Sequence, residues 1–267
     1  GISSDIDFLR SPKIRIFFQI LILTFYVILS QNYFSDLRLD SLNHILSFYF
    51  LAISINIFCF LVLINGTNLI DGLNSITIGY YLSISLILLY LKNNFNLYFD
   101  INFLINITLA LSILYLFNVF GKIFMGDNGS YLISFIFGSF LINLYIQNPS
   151  VSPYFIMCLL WYPAFENLFS IIRKSVKKIS FQTPDNNHLH QLLYKFFEKK
   201  MNLNKKIINS LTGNVIVFYN LIYFYLIKDL YFFTSGLIIS VFINIIVYSI
   251  IYSILSKKLN TASSSNN

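Results

Sequence analysis

The chain has 267 residues, of which 57% are hydrophobic, 18% aromatic and only 11% charged, with a formal net charge of +7. About a quarter of a soluble domain is charged, so this composition excludes a water-exposed globular fold and indicates a polytopic membrane protein. The basic residues sit between apolar runs, which excludes nucleic acid and favours the anionic leaflet of a lipid bilayer and an anionic substrate.

In chain order, apolar runs fit to cross roughly 30 Å of hydrocarbon as helix fall at about 14–30, 44–64, 76–91, 102–117, 131–147, 153–172, 208–227 and 231–255. Backbone groups in lipid must pair internally, and no period of two appears, so the predicted fold is all-α with about eight transmembrane helices. A single integral-membrane domain is expected over 1–258, with a disordered polar tail at 259–267. The chain opens on Gly1 without a Met and without a visible signal peptide, which reads as N-terminally incomplete. Cys59 and Cys158 lie inside apolar runs and have no metal-ligand spacing.

Eight crossings send the connecting segments alternately to two sides. One side receives all of the 18 Lys and Arg residues except Arg38, Lys92 and Lys228. The positive-inside rule makes that side cytoplasmic. Every polar motif singled out below falls on the same side, so the site is expected to be built from cytoplasmic loops.

The first of these segments contains Asp5 and Asp7, then Ser11-Pro12-Lys13-Ile14-Arg15. The second runs from Asn65 to Ser75. Its Asn65, Asn68 and Asp71 are three apart and would share a helical face, offering two neutral oxygens and one charged oxygen to a metal. The third, Gly121 to Ser130, sets Asp127 between Gly126 and Gly129 at the edge of a span. A charge at mid-membrane costs about 2.5–3.5 kcal/mol on insertion scales, less near the interface, so residues of this kind face water and bind something. The glycines permit tight turns, and Ser130 is placed to cap the helix that follows. Mg²⁺ is commonly held by one or two carboxylates plus substrate phosphates, and Asp127 with Asn68 or Asp71 supplies that number. Lys122 suits neutralisation of phosphate charge, and Phe124 is an aromatic beside the metal position, suited to stacking on a base. In the long fourth segment, Arg173, Lys174, Lys177 and Lys178 read as a positive-inside anchor. His188 and His190 are two apart, so a helix start is needed to turn both toward one phosphate. Lys195, Lys199, Lys200, Lys205 and Lys206, with apolar neighbours, read as an amphipathic surface helix on anionic lipid.

Taken together, these motifs resemble the polyprenyl-phosphate N-acetylhexosamine-1-phosphate transferases, the MraY/WecA-like family, in its surface-polysaccharide-initiating branch. Asn65-Gly66-Thr67-Asn68-Leu69-Ile70-Asp71-Gly72-Leu73-Asn74 resembles the family's N-x-x-N-x-x-D-G-x-D. The stretch Lys122 to Ser130 resembles its K-I-F-M-G-D-x-G-S, and His188-Leu189-His190-Gln191 its H-x-H-H. Pro163-Ala164-Phe165-Glu166 resembles its P-x-F-D/E element, and Gly1 to Arg15 its G-x-x-D-D segment with the downstream S-P-x-x-R.

The resemblance implies transfer of a sugar-1-phosphate from a UDP-sugar to polyprenyl phosphate, with release of UMP, at a bacterial inner membrane. It implies Asp5, Asp71, His188 and His190 as catalytic residues, with Asp5 acting on the lipid phosphate and the histidines beside the sugar-phosphate. Asn65, Asn74, Lys122 and Phe124 would bind substrate, Phe124 by stacking on uracil and Asn74 by reading its edge. Asn68 and Asp127 would hold Mg²⁺, with Mn²⁺ as the alternative ion. The implied partners are the UDP-sugar, polyprenyl phosphate, the bilayer and a second copy of the chain as a homodimer. Four positions depart from the pattern: Ser4 stands at the first Asp of the acidic pair, Asn74 at the second Asp of the middle motif, Gln191 at the last His and Asn187 at a common Arg. The family also has two or three further helices ahead of the acidic pair. Two rival readings differ in where the polar motifs should lie. A nucleotide-sugar-binding relative without turnover keeps them together, and a secondary transporter spreads them along a path at mid-depth.

Overall fold

The computed structural model describes residues 12–95, 97–178 and 187–264, with side chains to 259. Among the described residues there are helices and no strand. The helices are α1 (Pro12–Ser30), α2 (Asp40–Leu46), α3 (Tyr49–Ile70), α4 (Ile76–Phe95), α5 (Ile101–Val119), α6 (Gly126–Gln147), α7 (Pro153–Leu159), α8 (Trp161–Val176), α9 (Leu189–Lys200), α10 (Lys205–Ile227) and α11 (Thr234–Ser264), with a 3₁₀ turn at Lys228–Leu230. Among the described residues seven are long and apolar enough to cross a membrane, and the bent pair α7–α8 makes an eighth where it is counted as one broken span. This is an all-α polytopic membrane protein. α11 continues to Ser264, beyond the 258 boundary assigned from sequence, because no Gly or Pro interrupts it there.

Helix α3 is central, packing on α1, α6 and α8, while α4 packs on α5 and α10. α9 lies against α10 and α11. The main core joins Tyr80, Tyr81, Phe137, Phe155, Tyr162 and Phe224, all essentially buried. A smaller cluster of Leu23, Val27, Phe60 and Ile142 seats α1. The outward face of α1 carries exposed Phe17, Ile22, Phe25 and Leu29, as expected of a helix facing hydrocarbon.

The sixth predicted span departs from a single helix. It breaks at Leu160 with a bend of 75°. Pro163 has no N–H, so the carbonyl four residues earlier, on Leu159, loses its helical donor. The Tyr80 hydroxyl supplies one at 2.7 Å, and the Tyr162 N–H donates back to the same hydroxyl at 3.3 Å. A break at this depth persists because a neighbouring helix restores the freed groups. α3 passes so close that a Cβ on Gly66 would lie 2.0 Å from the Pro163 carbonyl oxygen, so this position accepts only glycine. The break redirects α8 and places Glu166 in the protein interior, 0% exposed.

Candidate active site

The turn from Asp71 to Ser75, between α3 and α4, is the hub of the site. Asp71 caps α3, and Asn65 and Asn68 lie in the last turns of that helix. Only Asn68 faces the second motif: its amide donates to Asp127 Oδ1 at 2.8 Å and to Ser130 Oγ at 3.2 Å. The Asn65 amide donates to Gln19 Oε1 of α1 at 3.0 Å and to the Leu61 carbonyl. Its three-residue spacing from Asn68 therefore does not bring both amides to one ligand; Asn65 ties α3 to α1.

Gly126 has φ +63°, a left-handed conformation that suits glycine, and α6 begins there. Asp127 thus occupies the first helical turn, where a carboxylate is favoured by the exposed N–H groups. Ser130 does not cap α6, as the sequence led one to expect; it lies inside the helix, where its hydroxyl donates to the Asp127 carbonyl at 3.0 Å. Gly129 is likewise helical, and a Cβ there would strike Met125. Arg15, from the start of α1, donates to Asp127 Oδ2 at 3.2 Å. Asp127 therefore joins the ends of three helices that are distant in sequence.

Asp71 lies within the electrostatic reach of Asp127. Its carboxyl is pushed up to about 6, chiefly by burial and additionally by the Asp127 charge, with Thr77 and the Gly126 N–H opposing. Ser75 holds φ +77° at a non-glycine residue, and its N–H donates to Asn118 Oδ1 at 2.5 Å. The Asn118 amide in turn donates to the Ile123 carbonyl at 2.6 Å, which ties the two motif loops together. Asn74 is held from α10: its N–H donates to Asn209 Oδ1 at 2.7 Å, and its side chain to Ser210 Oγ at 3.4 Å. Lys122 is exposed, and Phe124 is 73% exposed in the loop before Asp127, an unusual setting for a phenyl ring outside a lipid-facing helix.

The histidines meet this hub from the other side. His188 is the N-cap of α9 and His190 lies in its first turn. That helix start, not a regular helix, makes the two rings parallel, 5.7 Å apart and at 12°. His190 is fully buried; both its ring nitrogens lack a hydrogen-bond partner among the described residues, and a Cβ on Gly72 would lie 3.0 Å from its Nε2. Burial pushes its pKa down to about 4 against the pull of Glu166, so the ring is neutral. Gln191 accepts the His188 N–H at 3.2 Å, half of a capping box, which gives the amide at this position a structural use.

Four residues of this neighbourhood were not selected from sequence. Glu166 accepts from His188 Nδ1 at 2.9 Å and from the Tyr248 hydroxyl at 2.8 Å. Arg173, which reads as a surface anchor, is 9% exposed; it donates to the Asn187 carbonyl and to the Tyr252 hydroxyl and packs over the Phe169 and Tyr252 rings. Arg15 and Asn118 complete the set. Their partners come from other helices, so no local pattern marks them; only Glu166 and Arg15 carry a signal, through the elements they belong to. The acidic segment with Asp5 and Ser4 lies outside the described residues.

Residues 1–145 match the family model described as Glycosyl transferase family 4. A relative named probable undecaprenyl-phosphate N-acetylglucosaminyl 1-phosphate transferase, from Bacillus subtilis (strain 168), is 30% identical over 139 residues, covering 49% of this chain and 37% of the relative. The chain thus matches little more than a third of the length of that curated relative. No solved structure matches. None of these findings supports the expected homodimer. With more than half of its length matched by the family model, and that match spanning both the asparagine turn and the Asp127 loop, the chain belongs to glycosyl transferase family 4.

Proposed function

We propose that the protein transfers a sugar-1-phosphate, an N-acetylhexosamine-1-phosphate, from a UDP-sugar to polyprenyl phosphate at the cytoplasmic face of a bacterial inner membrane, to start a surface glycan. A phosphate oxygen of the lipid attacks the β-phosphorus of the UDP-sugar. The bond from that phosphorus to the oxygen bridging the two phosphates breaks, and UMP leaves. Such chemistry needs positioning and charge neutralisation more than covalent help from the protein. The observation that carries the reading is the junction of Asn68, Asp127 and Arg15, beside Asp71, with a buried His190 at Gly72 that has no hydrogen-bond partner among the described residues.

The donor set fits a divalent cation that takes part of its shell from the substrate. Asp127 and Asp71 are two carboxylates close enough for one to raise the pKa of the other, which a cation between them would relieve. Mg²⁺ is commonly held by one or two carboxylates and keeps substrate or water oxygens for the rest of its shell. Asp127 and Asn68 would hold Mg²⁺, with Mn²⁺ as the alternative. The ion would supply charge neutralisation on the diphosphate. Arg15 is placed to balance Asp127 and to meet a phosphate. Lys122 and Phe124, both solvent-facing, suit phosphate and uracil. Asn74 shapes the turn and would border the nucleotide, Asn65 would act on the substrate only through its hold on α1, and Asp5 would orient the lipid phosphate.

The test uses the full-length protein in proteoliposomes with undecaprenyl phosphate, Mg²⁺ and a panel of radiolabelled UDP-sugars. Labelled lipid and UMP should both appear with one of the sugars and vanish with EDTA. Tight retention of a UDP-sugar without UMP release would instead establish the non-transferring relative.

A further inference from the structure

Glu166 is the acidic side chain at the site that faces neither Asp127 nor solvent. It is 0% exposed and reaches the histidine pair from α8, after the break in the sixth span. Oε1 meets His188 Nδ1 at 2.9 Å and accepts the Leu189 N–H at 3.3 Å, while Oε2 accepts the Tyr248 hydroxyl at 2.8 Å. One carboxyl group thus grips the start of α9 by both a ring and a backbone group. Arg173, one helical segment further along α8, holds the Asn187 carbonyl just ahead of His188. Burying a carboxylate is expensive, and a packing role alone would be served by an apolar side chain of similar size.

Resting on the transferase reading above, we propose that Glu166 is a positioning residue that fixes the tautomer of His188. A carboxylate on Nδ1 requires that nitrogen to carry the proton, in competition with the capping-box bond that the ring would otherwise accept from the Gln191 N–H. The Nε2 lone pair is then left to accept a proton or a hydrogen bond. The partner on one ring nitrogen setting the role of the other is a general device of functional histidines. The ring of His190 lies parallel to that of His188, between it and the Asp71 turn: its nitrogens find no partner among the described residues, and Nε2 abuts Gly72. A neutral imidazole buried with both nitrogens unmet is arranged for a polar ligand, since each unmet buried group costs about 1–3 kcal/mol. Tyr248, donating to the second carboxylate oxygen, holds Glu166 in place and acts one step further out.

The chain has three histidines, His44, His188 and His190, so ¹⁵N-histidine labelling gives a readable spectrum. Solid-state NMR of the full-length protein in bilayers at pH 8 should show His188 with Nδ1 protonated and Nε2 bare; His44→Gln and His188→Asn spectra assign the signals. Glu166→Gln should move His188 toward the Nε2-protonated form and lower kcat by about 10–100-fold, with KM for the UDP-sugar within about twofold. Tyr248→Phe, which leaves the carboxylate in place, should shift the same signals less and lower kcat less. A wild-type His188 protonated on Nε2, or an unchanged tautomer in Glu166→Gln, overturns the proposal. So does a shifted tautomer with undiminished kcat. If the wild-type protein turns over no UDP-sugar while the spectra behave as described, the transferase reading fails and the tautomer assignment stands.

Discussion

The two ends of the helix bundle are both rich in polar groups and use them in opposite ways. At the end formed by residues 31–48, 97–100, 148–152 and 228–234, most polar side chains hold backbone, beside a few side-chain pairs such as Asn43 with Asp36 and Lys228 with Asp229. Arg38 donates to the carbonyls of Pro149, Val151 and Phe232, and Asn148 exchanges bonds with both backbone groups of Tyr98. The Tyr145 hydroxyl meets the Asp36 carbonyl. At the other end, side chains meet side chains: Asn68 with Asp127, Arg15 with Asp127, and Glu166 with His188 and Tyr248. There too Asp71 is raised to about 6, and buried His190 has no hydrogen-bond partner among the described residues. The first end is closed, its groups consumed by holding loops. The second keeps charge and unmet polarity in reserve. Unrelieved burial of titratable groups, more than polar density, separates the structural end from the chemical one, because such burial persists where a ligand will relieve it.

The contrast breaks most visibly at Asp127. Asp127→Ala should lower UMP release by about 10³-fold or more, the scale seen when a group that stabilises transition-state charge is lost. Because the side chain is part-exposed and sits in a helix first turn, the thermal midpoint should hardly move. Wild-type-like turnover in that variant would remove Asp127 from the site. Asp71 ranks next. Activity that needs its carboxylate should fall about tenfold per pH unit below about 6, where the raised group binds its proton. In Asp71→Asn that acid limb should disappear, leaving a low, flat profile. The linkage sign is also defined: between about 4 and 6 the folded state holds a proton that the unfolded state has lost. Rising pH through this window therefore costs stability, and Asp71→Asn should remove the cost. A limb that survives the substitution belongs to another group.

At the closed end the effect is smaller and purely structural. Arg38→Ala loses bonds from a guanidinium to three carbonyls joining the loops before α2, α7 and α11. A net loss of about 2 kcal/mol is expected, read as a lower thermal midpoint in detergent with kcat unchanged at 25 °C. A fall in kcat without loss of stability would erase the distinction between the ends.

How much of this was legible in the sequence follows the range of the interactions. The spans were legible because hydropathy acts over a window within one helix. Asn68, Asp127 and the histidines stand out in the sequence because short motifs concentrate unusual residues, and the structure brings Asn68 and Asp127 together. The break at Leu160 was not, since it depends on Tyr80 reaching a carbonyl that Pro163 abandons, about 80 positions away in the chain. Arg173 resembled every other basic residue after a span, and only the packing of Phe169, Tyr252 and Asn187 around it shows a buried staple. Asn65 shared the spacing of Asn68, yet Gln19 on another helix claims its amide. Spacing defines a face of a helix; the neighbouring helix decides which residue on that face is left for a ligand.

The smallest expected effect concerns His190 and tests whether that reserve of unmet polarity is real. Its pKa falls from about 6.5 in the unfolded chain to about 4 in the fold. The folded state therefore refuses a proton that the unfolded state accepts. Its stability is unaffected above about 6.5 and declines as pH falls toward 4, by about 3 kcal/mol in the limit. Few assays reach that limit, so between pH 7 and 5.5 the thermal midpoint should drop by only a few degrees. His190→Phe fills the same space without a titrating nitrogen and should flatten this decline while raising the midpoint at pH 7, because the unmet ring nitrogens are gone. If His190→Phe lowers the midpoint at pH 7, the ring nitrogens are satisfied in the native protein, and the chemical end holds less in reserve than its geometry shows.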